Sequence, residues 1–111
     1  MIIAEYDSYD AYTDDGEYDE FQDEMNFNFF KEEVKERLSK RKFPVKLIAR
    51  SSNWMGQDGY TEADNVDEII SKIFSFGNHW ARMESTRGGG IEFRTASHDV
   101  PTGFTIEVRA K

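Results

Sequence analysis

The chain has 111 residues, no cysteine, two histidines and a net charge of −8. That length suits one domain, residues 1–111, with a core of its own, and the missing cysteines exclude a disulfide scaffold or a thiolate metal site. No apolar run reaches the roughly 18 residues that span a bilayer, and Met1-Ile2-Ile3-Ala4-Glu5 lacks the basic start of a signal peptide, so the expectation is a soluble cytoplasmic protein without a membrane partner.

The charge is segregated. Residues 1–24 hold ten Asp and Glu and no Lys or Arg, which leaves residues 25–111 at a net of +2. The acids are interleaved with Tyr6, Tyr9, Tyr12, Tyr18 and Phe21. Solubility alone needs no such clustering. A field of this sign repels nucleic acid and anionic membranes and steers basic proteins toward it.

Ile2-Ile3-Ala4 reads as a possible edge strand, and the tyrosines at spacing three that follow fit neither strand nor helix periodicity well. Asp14, with Glu17 three residues on, makes a capping-box pattern that predicts a helix over 15–25. On that helix Tyr18, Phe21 and Met25 share one side, Glu17, Glu20 and Glu24 form a strip beside it, and Asp19 with Asp23 make a further row. The boundary of the acidic segment is set at residue 25, with residues 26–111 as the core.

Phe27, Phe30, Val34 and Leu38 predict a second helix over 26–42. Its stripe lies about 180° from the Tyr18-Phe21-Met25 stripe if both sit on one straight helix. One helix burying both faces against one small sheet is not feasible, so a break is expected at Asn26–Asn28, whose side chains compete for backbone groups. The basic stretch from Lys31 to Arg50 carries eight Lys and Arg against three Glu. It is expected to lie near the acidic helix and neutralise it, not to bind nucleic acid.

Val45 to Arg50 alternates as a strand, and Ser51 to Ala63 reads as a long loop. Trp54 and Tyr60 in that loop are candidate anchors for a partner. Asp64 or Asn65 caps a helix over 66–76, with Val66, Ile69, Ile70, Ile73 and Phe74 on its apolar stripe and Gly77 at its end. Strands over 79–86 and 91–96 make a hairpin around Gly88-Gly89-Gly90, with Glu84 expected opposite Arg94. A turn-rich connection over 97–103 leads to a last strand over 104–110. The fold class is α+β: two layers, a mostly antiparallel sheet of three to four strands, and two or three helices packed on one face.

Motifs for chemistry are sparse. Placing Gly16 or Gly59 at the sixth position of a calcium loop leaves the first and twelfth positions without acids, so no metal and no cofactor is expected. His98-Asp99 beside a Pro-Thr-Gly turn is the one candidate acid–base pair, and it supports an alternative reading as a small enzyme. The leading reading is a non-enzymatic acidic binding protein that engages a basic protein surface through Asp14, Asp15, Glu17, Tyr18, Asp19, Glu20, Asp23, Glu24, Trp54 and Tyr60, without contacting nucleic acid itself. In its sharper form the carboxylates, one helical turn or about 6 Å apart, imitate the phosphates of DNA, as in small inhibitors that phages and mobile elements direct against nucleic-acid enzymes. A plain interaction module or homodimer with a solubilising acidic segment is the other alternative.

Overall fold

The computed structural model describes residues 1–51, 59–97 and 100–110. Six strands form one antiparallel sheet: β1 (Ile2–Asp7), β2 (Val45–Ser51), β3 (Gly59–Ala63), β4 (Trp80–Ser85), β5 (Ile91–Ser97) and β6 (Val100–Ala110). Their spatial order is β1-β4-β5-β6-β2-β3. Two helices, α1 (Glu20–Leu38) and α2 (Val66–Phe76), contribute to the same core. Period-two alternation decides the faces. Ala4, Tyr6, Val45, Leu47, Ala49, Ala81, Met83, Ile91, Phe93, Ile106 and Val108 point inward, where Phe30, Val34 and Leu38 of α1 and Ile69, Ile70 and Ile73 of α2 meet them.

The α+β class and one-sided helix packing stand as expected, but the sheet has six strands instead of three or four. β1 runs to Asp7 and pairs with β4 through Ala4↔Met83 and Tyr6↔Ala81. β3 lies inside the stretch read as a loop and pairs with β2 from Val45↔Ala63 to Ala49↔Gly59. Its inward positions, Gly59, Thr61 and Ala63, are too small to produce a hydrophobic alternation, which is why the pattern hid it. β6 begins at Val100, inside the expected connection.

The β4–β5 hairpin differs by two residues from the expected register. Met83 pairs with Phe93, Glu84 with Glu92 and Arg82 with Arg94. Gly88 and Gly89 hold positive φ of 87° and 84°, and the N–H of Thr86 donates to the Gly90 carbonyl at 2.9 Å. The turn is therefore Arg87-Gly88-Gly89. A shift of two leaves every side chain on its face, so burial did not discriminate between the registers. The charges that seemed to decide the matter pair diagonally: Arg94 Nε lies 2.9 Å from Glu84. The outer face of the sheet carries Lys46, Arg50, Trp80, Arg82, Glu84, Glu92, Arg94, Glu107 and Arg109.

α2 has the predicted bounds, with the Asn65 side chain accepting from the Glu68 N–H at 2.9 Å. Gly77 follows it in extended backbone. A Cβ there would come within 2.7 Å of the Ala96 backbone, so close approach to β5, not a left-handed cap, requires glycine. α1 is continuous through Asn26–Asn28, and the expected break and the boundary at residues 25–26 both fall inside it. Among the described residues only one of its two apolar faces is buried, which removes the conflict that demands a kink.

Candidate functional site

The acidic segment is built into the end of the fold where β1 forms the sheet edge. Asp7 accepts from the Tyr9 N–H at 2.9 Å and opens a single 3-10 turn, Ser8–Ala11. Asp14-Asp15-Gly16 then closes a tight loop: the Thr13 N–H donates to the Glu17 carbonyl at 2.7 Å, and Gly16 takes a φ of 81°. Tyr12 and Tyr18 face each other across an isolated antiparallel bridge. Residues 15–19 of the predicted helix thus belong to this loop, where Gly16 supplies the positive φ that the turn requires, and residues 20–25 are helical as expected. Asp19, not Asp14, caps the helix, accepting from the Gln22 N–H at 3.1 Å.

Those changes dissolve the carboxylate rows drawn on one helix. Glu17 lies outside α1, and Asp23 turns inward, so Glu20 and Glu24 are what remains of the strip. Asp10, Asp14, Asp15, Glu17, Asp19, Glu20 and Glu24 are exposed, and among the described residues none of them has an ion-pair partner. The basic stretch does not neutralise them: Lys35 instead pairs with Asp67 of α2 at 3.3 Å. Within the first twenty-four residues the ion pair formed among the described residues is that of Glu5 with Arg82, at 2.8 Å on the outer face of the sheet.

Asp23 is the centre of a tyrosine cluster that sequence reasoning missed. The Tyr6 hydroxyl donates to Asp23 Oδ1 at 2.6 Å, and the Tyr18 hydroxyl donates to Oδ2. The Tyr6 ring is packed edge-on against Phe27 and Phe74, with centroids 5.6 and 5.7 Å away, so an apolar ring presents a polar tip at the surface. Burial, followed by the bond to Asp23, pushes the Tyr6 phenol above its ordinary range. The bond to Asp23 pushes Tyr18 up to about 12. Both phenols are therefore donors at neutral pH and not bases. Tyr12 lies 5.4 Å from Tyr18, their planes at 56°. The cluster, with Asn78 and His79 at its rim, surrounds a surface cavity of about 390 Å³. The clue was present: Asp-Asp-Gly is a hairpin signal, and a hairpin centred there opposes Tyr12 to Tyr18.

Beside this lies a second unforeseen feature. Phe21, Met25 and Phe29, at helical spacing of four, run along the side of α1 opposite its core stripe and are 72%, 40% and 65% exposed. Phe21 shares a groove with Glu17, Tyr18 and Glu20. Met25 and Phe29 line a shallow apolar groove of about 250 Å³ with Asn28 and Glu32. The ridge and the free carboxylates thus form one surface.

Tyr60 is not part of it. It sits on β3, the other edge of the sheet, roughly 24 Å away at about 4.8 Å per strand, and its hydroxyl donates to Glu62 at 3.0 Å. Trp54, His98 and Asp99 lie outside the described residues. Among the described residues there is no group of three His, Asp or Glu able to hold a metal ion, and no helix is long and apolar enough to cross a membrane. No protein family, curated protein or solved structure matches this chain.

Proposed function

We propose that the protein is a non-enzymatic binding protein that places this acidic end on a basic protein surface, with Phe21, Met25 and Phe29 as the apolar centre of the contact and Asp14, Asp15, Glu17, Asp19, Glu20 and Glu24 as its charged surround. The observation that carries this reading is the joint exposure of an apolar ridge and of carboxylates that have no ion-pair partner among the described residues. An interface of this make-up is an apolar core with a polar rim. Charge argues against a second copy as the occupant, because two such faces would oppose Glu to Glu. Channels that bind nucleic acid are lined by Lys and Arg, so inhibition of a nucleic-acid enzyme is the form of the reading that uses the whole block. The loss of regular carboxylate rows means that sign and density, not phosphate-like spacing, would carry it.

The test begins with capture of the partner from the native host, using the full chain. Affinity for the captured partner is then measured against salt for the parent, for Glu17→Gln/Glu20→Gln/Glu24→Gln and for Phe21→Ser/Phe29→Ser. The parent should weaken steeply with salt, since such fields are screened over about 8–10 Å. The triple variant should bind more weakly at low salt, and the ridge variant should lose affinity at every salt concentration. Equal affinity of parent and triple variant at low salt refutes the electrostatic reading. Duplex DNA competes if the partner's basic surface is its nucleic-acid site, and does not compete if that surface has another use.

A further inference from the structure

The Tyr6-Tyr12-Tyr18-Asp23 cavity has a different chemistry from the open face around it. Tyr12 and Tyr18 are both half-exposed, and their rings meet at 56° as two walls of a corner. Asp23 is fixed at the back of that corner by two phenolic donors. Asp7 acts on Tyr6, and Glu20 on Tyr18, as further negative charges. The site therefore has aromatic walls, a fixed carboxylate, a volume of about 390 Å³ and a negative surround. A cation is the ligand that this electrostatics selects, since aromatic faces and carboxylate attract it together.

The kind of cation follows from the hydrogen bonds. Each oxygen of Asp23 accepts one phenolic O–H, which leaves about two of a carboxylate's four acceptor sites, fewer than the donors of a guanidinium or a primary ammonium. The other polar groups, Ser8, Asn78 and His79, complete the lining. A bare metal ion requires several oxygen ligands. A guanidinium carries five N–H donors and a primary ammonium three, and burying them without acceptors is costly. A methylated ammonium carries the charge on apolar methyl groups and needs only ring faces and a nearby anion. We propose that this cavity is a cage for a methylated ammonium head, supplied by a methylated lysine of the docked protein. The cage rests on the acidic-face reading only for that source.

The experiment titrates the full chain with tetramethylammonium chloride at constant ionic strength and follows the tyrosine ring signals by NMR, with ammonium chloride as the control. Saturable shifts centred on Tyr12 and Tyr18, absent with ammonium, are expected. Tyr12→Phe, which keeps the ring, should bind as the parent does. Tyr12→Ala should bind roughly tenfold more weakly, and Asp23→Asn should also lose affinity. A basic peptide carrying one trimethyl-lysine should bind more tightly than the same peptide with that lysine unmethylated; equal affinity overturns the lysine source. Non-saturating shifts spread over the acidic residues, or an equal response to ammonium, overturn the cage. The Phe21→Ser/Phe29→Ser variant, whose changes lie outside the cavity and its charged surround, should still bind tetramethylammonium. The two proposals therefore fail separately.

Discussion

Phe29 and Phe30 are neighbours on α1, and truncating each to alanine should have opposite consequences. Phe30 is 2% exposed and packs edge-on against Phe74 with centroids 6.0 Å apart. Removing a ring from such a position costs about 3–5 kcal/mol. Phe29 is 65% exposed, so only about a third of its side chain leaves water. Full burial of a phenylalanine is worth about 1.5–3 kcal/mol, which puts the Phe29 contribution at roughly 0.5–1 kcal/mol. Alanine is also the better helix former by about half a kcal/mol, so Phe29→Ala should fall near zero. The propensity gain is common to both variants, and the difference between them should be about 3 kcal/mol. Urea unfolding reads this directly. At about 1–3 kcal/mol per molar of urea, the two midpoints should be separated by roughly 1–3 M. Costs within about 1 kcal/mol of each other would mean that Phe29 is packed in solution, and the ridge on which the proposed contact is centred would not exist.

Three further outcomes test the fold and the tyrosine cluster. Thr95 points into the core with its Oγ1 buried and, among the described residues, without a hydrogen-bond partner; Thr95→Val, of the same shape, should stabilise by about 1 kcal/mol in the same urea assay, and a loss of stability would show that the hydroxyl has a partner. The raised phenols of Tyr6 and Tyr18 mean that the native state holds protons that the unfolded chain releases near pH 10, so this contribution to stability is complete below pH 10 and falls as pH rises through about 12 for Tyr18. Asp23→Asn should bring the ionisation of both tyrosines to lower pH in a phenolate absorbance titration, and an unchanged titration would remove Asp23 from the cluster.

How far the fold was legible depended on side-chain size at the inward positions. α2 was read to its bounds, because Val66, Ile69, Ile70 and Ile73 are large and Asn65 caps them. The inner face of β6 was legible for the same reason, through Ile106 and Val108. β3 was not, because Gly59, Thr61 and Ala63 leave no pattern, and its pairing with β2 is a property of the sheet and not of the segment. The hairpin register escaped because registers two residues apart bury identical faces; the positive φ at Gly88 and Gly89 made the choice. At the site, the acidic block and its tyrosines were visible in the sequence, but their arrangement was not. The capping-box reading of Asp14 and Glu17 competed with the hairpin reading of Asp14-Asp15-Gly16, and the bridge between Tyr12 and Tyr18 sides with the hairpin.

The same competition bears on what α1 is for. Two apolar stripes on opposite sides of one helix ordinarily mean burial on both sides, and among the described residues only the stripe of Phe30, Val34 and Leu38 receives it. Phe21, Met25 and Phe29 add little stability where they stand and present an apolar patch of the kind that causes association. The carboxylates around them limit that association, since a second copy or any acidic protein arrives with the wrong sign. Under the proposed function they also determine who can reach the ridge. On the proposed reading, a partner brings enough Lys and Arg to match Glu17, Glu20 and Glu24 before its own apolar groups touch Phe21 or Phe29. In that proposal charge controls the encounter, and the ridge supplies the contact that persists once the ions are displaced. On this reasoning the segregation of ten acids into the first twenty-four residues and the unburied stripe on α1 are one device, since the ridge without the acids would bind indiscriminately and the acids without the ridge would bind only at low salt.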